Sequence, residues 1–267
     1  MSLSMFAAAM VLLAGCIAVF GILGRLCACN DDQAVFASRP MALDLAYGAI
    51  GVLYAGIAPA GAAWLAQALP VEAGGWLGER PLLVQVALLL AATDFGQYWL
   101  HRALHRGRLW PFHAVHHGAE QVNWTTAFRV HPVNYLLYNT SLAILARLLG
   151  FSADAFLLAA PITFFSGAVS HANLNWTFGP LRYAVASPVF HRWHHTIGAD
   201  TRDRNFAPMF PVWDLMFGTF HMPDGRRPAG YGAAGVPPGL LAQFWSPFQA
   251  LIAGPGQRAG TALQPEA

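Results

Sequence analysis

The chain has 267 residues, of which 56% are hydrophobic and only 10% are charged, which is too little charge for a soluble domain of this length. Its formal net charge of +2 excludes a nucleic-acid-binding protein. The cysteines are too few and too close together for a disulfide framework or a spaced zinc ribbon, since they are Cys16, Cys27 and Cys29. Composition therefore favours an integral membrane protein.

The N-terminal part of the chain predicts two transmembrane helices. Residues 1–24 are apolar and uncharged, long enough for a hydrocarbon core of roughly 30 Å. The box Leu13-Ala14-Gly15-Cys16 resembles a lipoprotein cleavage site, but no basic residue precedes it and the apolar run continues beyond it. We therefore interpret this segment as an uncleaved first helix. A second uncharged stretch, from Leu45 to Val71 and interrupted by Pro59, predicts a second span.

The following helices are expected to leave the membrane carrying histidines. A third helix begins near Leu82 and continues through Asp94 into the segment from Arg102 to Arg108. Two further apolar stretches, 133–145 and 155–169, are separated by a short turn and predict a helical hairpin that returns to the same side. An apolar patch from Leu240 to Ile252, in a tail rich in Pro and Gly, is expected to lie on the membrane surface.

The distribution of arginine predicts the orientation. The loop between Arg25 and Arg39 and the segment from Arg102 to Arg108 fall inside, whereas the loop containing Glu72 and Glu79 falls outside. The expected fold is an all-α, multi-pass transmembrane bundle of about three to five membrane segments with a cytoplasmic histidine-rich cap.

Eight histidines form three tight clusters. These clusters are His101-Arg-Ala-Leu-His105, His113-Ala-Val-His116-His117 and His191-Arg-Trp-His194-His195. Histidines three or four residues apart share one helix face, whereas adjacent histidines diverge by about 100°, so that a His-His pair can serve two metals. A lone histidine is usually a hydrogen-bonded core residue, but two such H-x-x-H-H patterns arise by chance in about one in several thousand similar chains. The clusters therefore predict a dinuclear metal site.

Three further residues are candidates at the ends of the predicted hairpin. His171 follows the second apolar stretch and is expected to be a ligand on the same side. Asn175, four residues later, is either a weak ligand or a group that supports one. His131 stands at a helix entry, where capping and chemistry are equally compatible with its position. His221 is expected to be structural.

Two aspartates are candidates for hydrogen bonding to ligating imidazoles. Asp94 lies seven residues before His101 and shares its helix face, so it either holds a ligating imidazole or forms a salt bridge with an arginine such as Arg129. Asp214 either supports a ligand in the same way or caps a loop.

The order of these motifs resembles the fatty acid hydroxylase and sterol desaturase superfamily of membrane non-haem di-iron enzymes. The resemblance covers about residues 82–220 and rests on Asp94-x-x-x-Tyr98-Trp99-x-His101-Arg102-x-x-His105, His113-x-x-His116-His117, Arg129-x-His131-Pro132, His191-x-x-His194-His195 and Trp213-Asp214-x-x-Phe217-Gly218-Thr219.

The resemblance implies two iron ions as the cofactor and O2 as the cosubstrate. It implies nine metal ligands: His101, His105, His113, His116, His117, His171, His191, His194 and His195. Some relatives carry a further histidine where this chain has Asn175. Imidazole also suits zinc, copper and nickel, so iron is expected from the family chemistry, and zinc is compatible with isolated protein. The sequence divides into N-terminal helices (1–81), the di-metal domain (82–222) and a C-terminal tail (223–267).

The expected activity is O2-dependent hydroxylation of an aliphatic C–H bond in a fatty acyl, sterol-like or carotenoid lipid. Electrons would come from a separate carrier and an NAD(P)H-dependent reductase, because the sequence has no G-x-G-x-x-G nucleotide fingerprint. The resemblance favours the inner membrane of a bacterium with the metal site on the cytoplasmic side. Desaturation and ether-lipid oxidation on the same centre remain alternatives.

Two alternative functions belong to other protein classes. A zinc hydrolase would need a Glu as general base, and Glu120 is the sole Glu between positions 101 and 200. A metal transporter would distribute its ligands along a path through the membrane rather than on one side.

Overall fold

The computed structural model describes residues 3–31, 40–52, 54, 76–198, 201–228 and 230–253, with side chains from Ala14 onwards. Within these ranges the chain forms nine α-helices, two short 3-10 helices (Trp124–Phe128 and Gly179–Tyr183) and one isolated β-bridge between Thr196 and Tyr231. The helices are α1 Leu3–Leu26, α2 Pro40–Val52, α3 Leu82–Leu104, α4 Trp110–His117, α5 Pro132–Leu149, α6 Ala153–His171, α7 Pro188–His194, α8 Val212–Met216 and α9 Leu240–Ala253. The all-α prediction is confirmed for this part of the chain.

Two helices, α3 and α6, are long and apolar enough to cross a membrane. Large apolar side chains on both point outwards, with Leu83 78% exposed and Leu157 72% exposed. The first predicted span is helical as α1. Of the second predicted span, residues 45–52 belong to α2, while residues 55–75 lie outside the described residues.

Helices α5 and α6 form the predicted hairpin. Gly150 ends α5 with a left-handed φ of 72°, and the Ser152 side chain accepts a hydrogen bond from the backbone of Ala155 to begin α6. The buried Gln85 side chain, near the start of α3, accepts from the Ser152 N–H at 3.0 Å. The hairpin turn therefore lies beside the start of α3, so α3 and α6 both run towards the end of the bundle that carries the histidines.

The histidine end is closed by helices from other parts of the chain. Helix α1 packs there through Phe20, whose ring lies 5.6 Å from that of Trp124. Helix α9 packs on α4, with the Phe248 ring 5.3 Å from the Phe112 ring. The predicted apolar patch is thus confirmed as a helix, and its other face exposes Trp245; its position on a membrane surface stays a prediction.

Candidate metal centre

Nine buried histidines form two adjacent groups. Within each group the candidate ligand atoms all lie within 4.8 Å of one another. The five-histidine group consists of His101, His105, His113, His117 and His194, and the four-histidine group consists of His116, His171, His191 and His195. The structure therefore brings together all nine histidines that the sequence singled out.

Four helices deliver these side chains. Helix α3 carries the first two histidines over its last turn, α6 ends on His171, and the short helices α4 and α7 carry the two H-x-x-H-H patterns. Proline occupies the first turn of α4 and of α7, where its missing N–H costs no helical hydrogen bond. Helices of seven or eight residues are not stable alone, so α4 and α7 depend on packing against the longer helices.

The adjacent pairs divide between the groups, as the helical rotation predicted. The ring planes of His116 and His117 are 89° apart, and those of His194 and His195 are 88° apart. One member of each pair belongs to the four-histidine group and the other to the five-histidine group. The motif therefore serves two centres at once.

One short loop orients three rings of the five-histidine group. We call Asp203–Phe206 the positioning loop. His105 Nδ1 lies 3.0 Å from the Asp203 carboxylate, while His194 Nδ1 and His101 Nδ1 each lie 2.7 Å from the carbonyl oxygens of Arg204 and Phe206, respectively. Because a carbonyl only accepts, the last two Nδ1 atoms carry hydrogen and their Nε2 lone pairs face the group centre.

The backbone of the positioning loop has a conformation that few residue types adopt. Asp203 and Asn205 have left-handed φ values of 59° and 58°, which Asp and Asn tolerate better than other non-glycine residues. The Asn205 side chain donates to the carbonyls of Phe190 and His221 at 2.8 and 2.7 Å. These bonds hold the loop against α7.

Asp214 binds the backbone of the positioning loop and its neighbour Ala207, and it does not contact the histidines directly. Its carboxylate accepts from the N–H groups of Phe206 and Ala207 at 2.8 and 2.9 Å, and from the Thr219 hydroxyl at 2.6 Å. Since the Phe206 carbonyl orients His101, Asp214 is a loop clamp that acts on a ring indirectly.

Asp94 has neither of the partners expected for it. Its carboxylate accepts from the N–H groups of Met209 and Phe210 at 2.8 and 3.0 Å and from the Trp213 indole at 2.9 Å. Arg129 is paired with a different aspartate, on α2. Within the described chain, Asp94 therefore bonds neither an imidazole nor Arg129, and it holds the segment that follows the positioning loop instead.

The four-histidine group is oriented mainly by backbone. His171 Nδ1 donates to the Gly167 carbonyl of its own helix at 2.8 Å, and His116 Nδ1 donates to the Arg129 carbonyl at 3.1 Å. The Nδ1 atoms of His191 and His195 are buried and have no hydrogen-bond partner among the described residues. These two rings make their polar contacts through Nε2, since His191 Nε2 lies 3.0 Å from His171 Nε2 and 3.2 Å from His195 Nε2.

The carbonyl of Arg129 is itself held by a buried ion pair. Arg129 Nε lies 2.5 Å from Asp44 on α2, and the Thr125 hydroxyl donates to the same carboxylate at 2.8 Å. Breaking such a pair by removing one partner costs about 3–5 kcal/mol. Helix α2 is therefore connected to the orientation of His116.

The four-histidine group fits a cation at its centre. The Nε2 atoms of His116 and His171 lie 3.2 Å apart, and both carry lone pairs because both Nδ1 atoms donate to carbonyls. Facing lone pairs repel unless a proton or a cation lies between them. Burial lowers the pKa of His116 well below its ordinary value, which disfavours the proton and favours the cation.

The five-histidine group meets the same test. The Nε2 atoms of His105, His117 and His194 are buried without a hydrogen-bond partner in the described chain, and those of His101 and His113 lie 3.0 Å apart. Two nitrogens bound at right angles to one ion, each at about 2.1 Å, are separated by about 3.0 Å. The donor atoms therefore have the spacing of ligands that share an ion.

Burial keeps these imidazoles neutral. Seven of the nine grouped histidines lie outside the two candidate spans, and at each of them desolvation is the largest cause of a lowered pKa. These are His105, His113, His116, His117, His191, His194 and His195. The neutral ring is the form that binds a metal.

His131 and Asn175 lie apart from both groups. His131 caps α5, with Nδ1 accepting from the Val133 N–H at 3.1 Å, so its capping alternative is the one observed. Asn175 is exposed, and its N–H donates to the Cys27 carbonyl at 2.8 Å. His221 packs against Trp193, with 5.1 Å between the ring centroids, in line with a structural role.

Asn134 is a supporting residue that the sequence did not reveal. Its side-chain nitrogen lies 3.0 Å from His113 Nδ1, while its Oδ1 is buried without a partner in the described chain. Turning the amide by half a rotation makes Oδ1 the acceptor of a His113 Nδ1–H and leaves the His113 Nε2 lone pair facing the group. Asp203 was also missed, although the Asp-Arg-Asn sequence of its loop is typical of left-handed turns.

The model of the fatty acid hydroxylase family matches residues 86–219, half of the chain, and this range includes all nine histidines. The chain belongs to the fatty acid hydroxylase family. The resemblance inferred from the motifs is therefore confirmed. No solved structure matches this family member.

Relatives of this fatty acid hydroxylase family member include enzymes with lipid substrates in their names. An ornithine lipid hydroxylase from Rhizobium tropici is 34% identical over 193 residues, covering 71% of this chain and 58% of the relative. An alkylglycerol monooxygenase from Caenorhabditis elegans is 32% identical, covering 52% of this chain and 27% of the relative. A very-long-chain aldehyde decarbonylase from Oryza sativa is 32% identical, covering 52% and 24%. The matches span less than two thirds of each relative.

Proposed function

We propose that this protein is a multi-pass membrane oxidoreductase that hydroxylates an aliphatic C–H bond of a lipid. The balanced reaction is RH + O2 + 2 electrons + 2 protons giving ROH + H2O. The observation that carries the proposal is the convergence of nine buried histidines into two adjacent groups. Membership of the family and the lipid hydroxylase among the relatives support it.

Each histidine group would hold one iron ion, and the bound pair would supply the redox chemistry that activates O2. The protein's part is to present neutral imidazoles, fix their orientation through Nδ1, and exclude bulk water. Imidazole ligands alone do not select iron, so the metal identity in this proposal rests on the family. The domain division at residues 82–222 belongs to the same proposal.

An ether-lipid monooxygenase is the second candidate, because alkylglycerol monooxygenases are among the relatives. Desaturation on the same centre is a further alternative. A zinc hydrolase has less support, since Glu120 is exposed and both groups in the described chain consist of histidine alone. A transport path has less support for a similar reason, because the histidines are gathered at one end of the helices.

The proposal places the histidine end on the cytoplasmic side of a bacterial inner membrane, as the arginines predict. Helices α1, α3 and the α5–α6 hairpin would form the membrane part. Electrons would arrive from a separate carrier and an NAD(P)H-dependent reductase.

The test uses the whole chain, purified without oxygen in lipid nanodiscs. We expect two iron ions per chain and transfer of one atom from 18O2 into an added membrane-lipid extract when a chemical reductant is present. His116→Ala and His194→Ala should lose turnover yet remain in the membrane fraction, whereas His221→Ala serves as the matched control. Turnover retained in either ligand variant, or a single zinc ion without iron, would argue against the proposal.

A further inference from the structure

A cavity of about 400 Å³ lies between α3, α5, α6 and the 3-10 helix Trp124–Phe128. None of the nine grouped histidines is part of its lining. Its lining includes Leu89, Gln97, Leu142, Phe156 and Gly167.

One end of the cavity adjoins both histidine groups. Gln97 is one helical turn before His101, a member of the five-histidine group. Gly167 provides the carbonyl that orients His171, in the four-histidine group. Val130 adjoins the residue whose carbonyl orients His116. We call this the metal end of the cavity.

The other end points towards the hairpin turn. Leu89 on α3, Leu142 on α5 and Phe156 on α6 all lie farther from the histidines along their helices. At 1.5 Å per residue, the lining extends roughly 12 Å along α3 from Leu89 to Gln97 and roughly 16 Å along α6 from Phe156 to Gly167. Half of a hydrocarbon core of about 30 Å is about 15 Å, the length of one lipid tail in one leaflet.

The cavity wall offers an alkyl chain an apolar surface. Its Thr93, Thr163 and Asn139 side chains each donate to a backbone carbonyl three or four residues earlier in their own helix, so these donors are satisfied. The remaining polar groups of the wall are the Tyr135 and Tyr138 hydroxyls and the Gln97 amide, and Gln97 lies at the metal end, one helical turn before His101. A polar linkage of the substrate would find its partner there.

We propose that this cavity binds one alkyl tail with its methyl end at Leu89, Leu142 and Phe156 and its head-group end beside Gln97. The carbon presented to the histidine groups is then close to the head-group linkage rather than mid-chain or at the methyl end. The position of oxidation rests on the proposed function; the binding of the tail does not.

Tail orientation can be measured without catalysis. The probes are two palmitic acid analogues with a photoreactive diazirine either near the carboxyl end or near the methyl end, applied to the whole chain in phosphatidylcholine nanodiscs. We expect the methyl-end probe to label residues near Leu89, Leu142 or Phe156 and the carboxyl-end probe to label residues near Gln97 or Gly167, with each labelled residue located by fragmentation of its peptide. The reverse pattern, or labelling confined to the outer faces of α3 and α6, would overturn the proposal.

A substitution at Gly167 tests access to the metal end. A Cβ added at Gly167 meets no heavy atom within 4 Å, so there is open space for the side chain of Gly167→Leu to begin to occupy. We expect at least a tenfold loss of carboxyl-end labelling. Ile162→Phe, on the exposed face of the same helix, is the matched control and should label like the wild type. Equal labelling in both variants would contradict the assignment.

The position of the inserted oxygen separates this inference from the proposed function. Fragmentation mass spectrometry of the lipid product should place 18O within the first few carbons of the head-group linkage. Oxygen found near the methyl end would overturn the tail orientation while leaving the oxygenase activity established. Expected cross-links without any oxygen insertion would support the tail site while refuting the proposed function.

Discussion

The two histidine groups are built from the same sequence patterns but are held in different ways. In the five-histidine group, four rings have an Nδ1 partner, and three of these partners belong to the positioning loop Asp203–Phe206. In the four-histidine group, two Nδ1 atoms donate to backbone carbonyls and the other two are buried without a partner in the described chain. The five-histidine group is therefore supported mainly by a loop from a later part of the chain, and the four-histidine group by the backbone carbonyls of Gly167 and Arg129.

This difference predicts unequal metal affinity. Groups that hold the outer nitrogen of a ligating histidine are typically worth a 10–100-fold change in metal affinity. The four-histidine group has fewer such partners and one ligand fewer, so we expect it to release its ion first. Each prediction below tests this inequality.

The largest effect is expected from removing a ligand. His195→Ala leaves three imidazoles in its group, whereas His117→Ala leaves four in the other. After dialysis against a chelator, we expect His195→Ala to retain about one ion per chain and His117→Ala to retain about two, by the ligand counts needed for a closed site. Elemental analysis of metal per chain measures this. Equal metal loss in the two variants would show that the groups do not differ in affinity.

A smaller effect, confined to one centre, is expected from Asp214→Asn. The change removes the charge that accepts two loop N–H groups and the Thr219 hydroxyl, so the Phe206 carbonyl loses its fixed position. We expect metal affinity of the five-histidine group to fall about 10–100-fold and the free energy of unfolding to fall by about 1–3 kcal/mol.

A metal titration that resolves two classes of site, together with thermal unfolding, measures both effects of Asp214→Asn. The control is Asp224→Asn, at an exposed residue paired with Arg182. If the four-histidine group weakened equally, the positioning loop would not be specific to one centre.

Sequence spacing predicted which histidines come together, because their geometry within each helix is local. Histidines three or four apart on one helix share a face whatever surrounds them, and each adjacent pair divides between the groups as rotation requires. The same reasoning was wrong for Asn175 as a companion of His171, because α6 ends at His171 and its C-cap, Ala172, has a non-helical ψ of 144°. Beyond the last turn of a helix, residues four apart in the sequence no longer share a face.

The supporting groups could not be predicted, because most of them are backbone carbonyls, which any residue type provides. Asp94 shares a helix face with His101, as expected, yet its carboxylate accepts from the backbone of Met209 and Phe210 rather than from an imidazole. Only the tertiary path of that segment decides which polar group an aspartate meets. The all-α fold could be predicted from the lengths of the apolar segments. The positioning loop could not, because its conformation depends on contacts between distant segments.

The smallest effect is expected from Asp203→Asn. Asn keeps a side-chain oxygen that can accept from His105 Nδ1 but lacks the charge, and the Asp203 side chain is 45% exposed, so solvent already screens part of that charge. Metal affinity should therefore fall by less than about tenfold, below the usual range for losing such a partner. Mössbauer spectroscopy of iron-loaded protein should show a shift in one of two signals, because His105 belongs to one group alone. Asn175→Ala should leave both signals unchanged, and a shift of both in Asp203→Asn would mean that the two centres share their supporting structure.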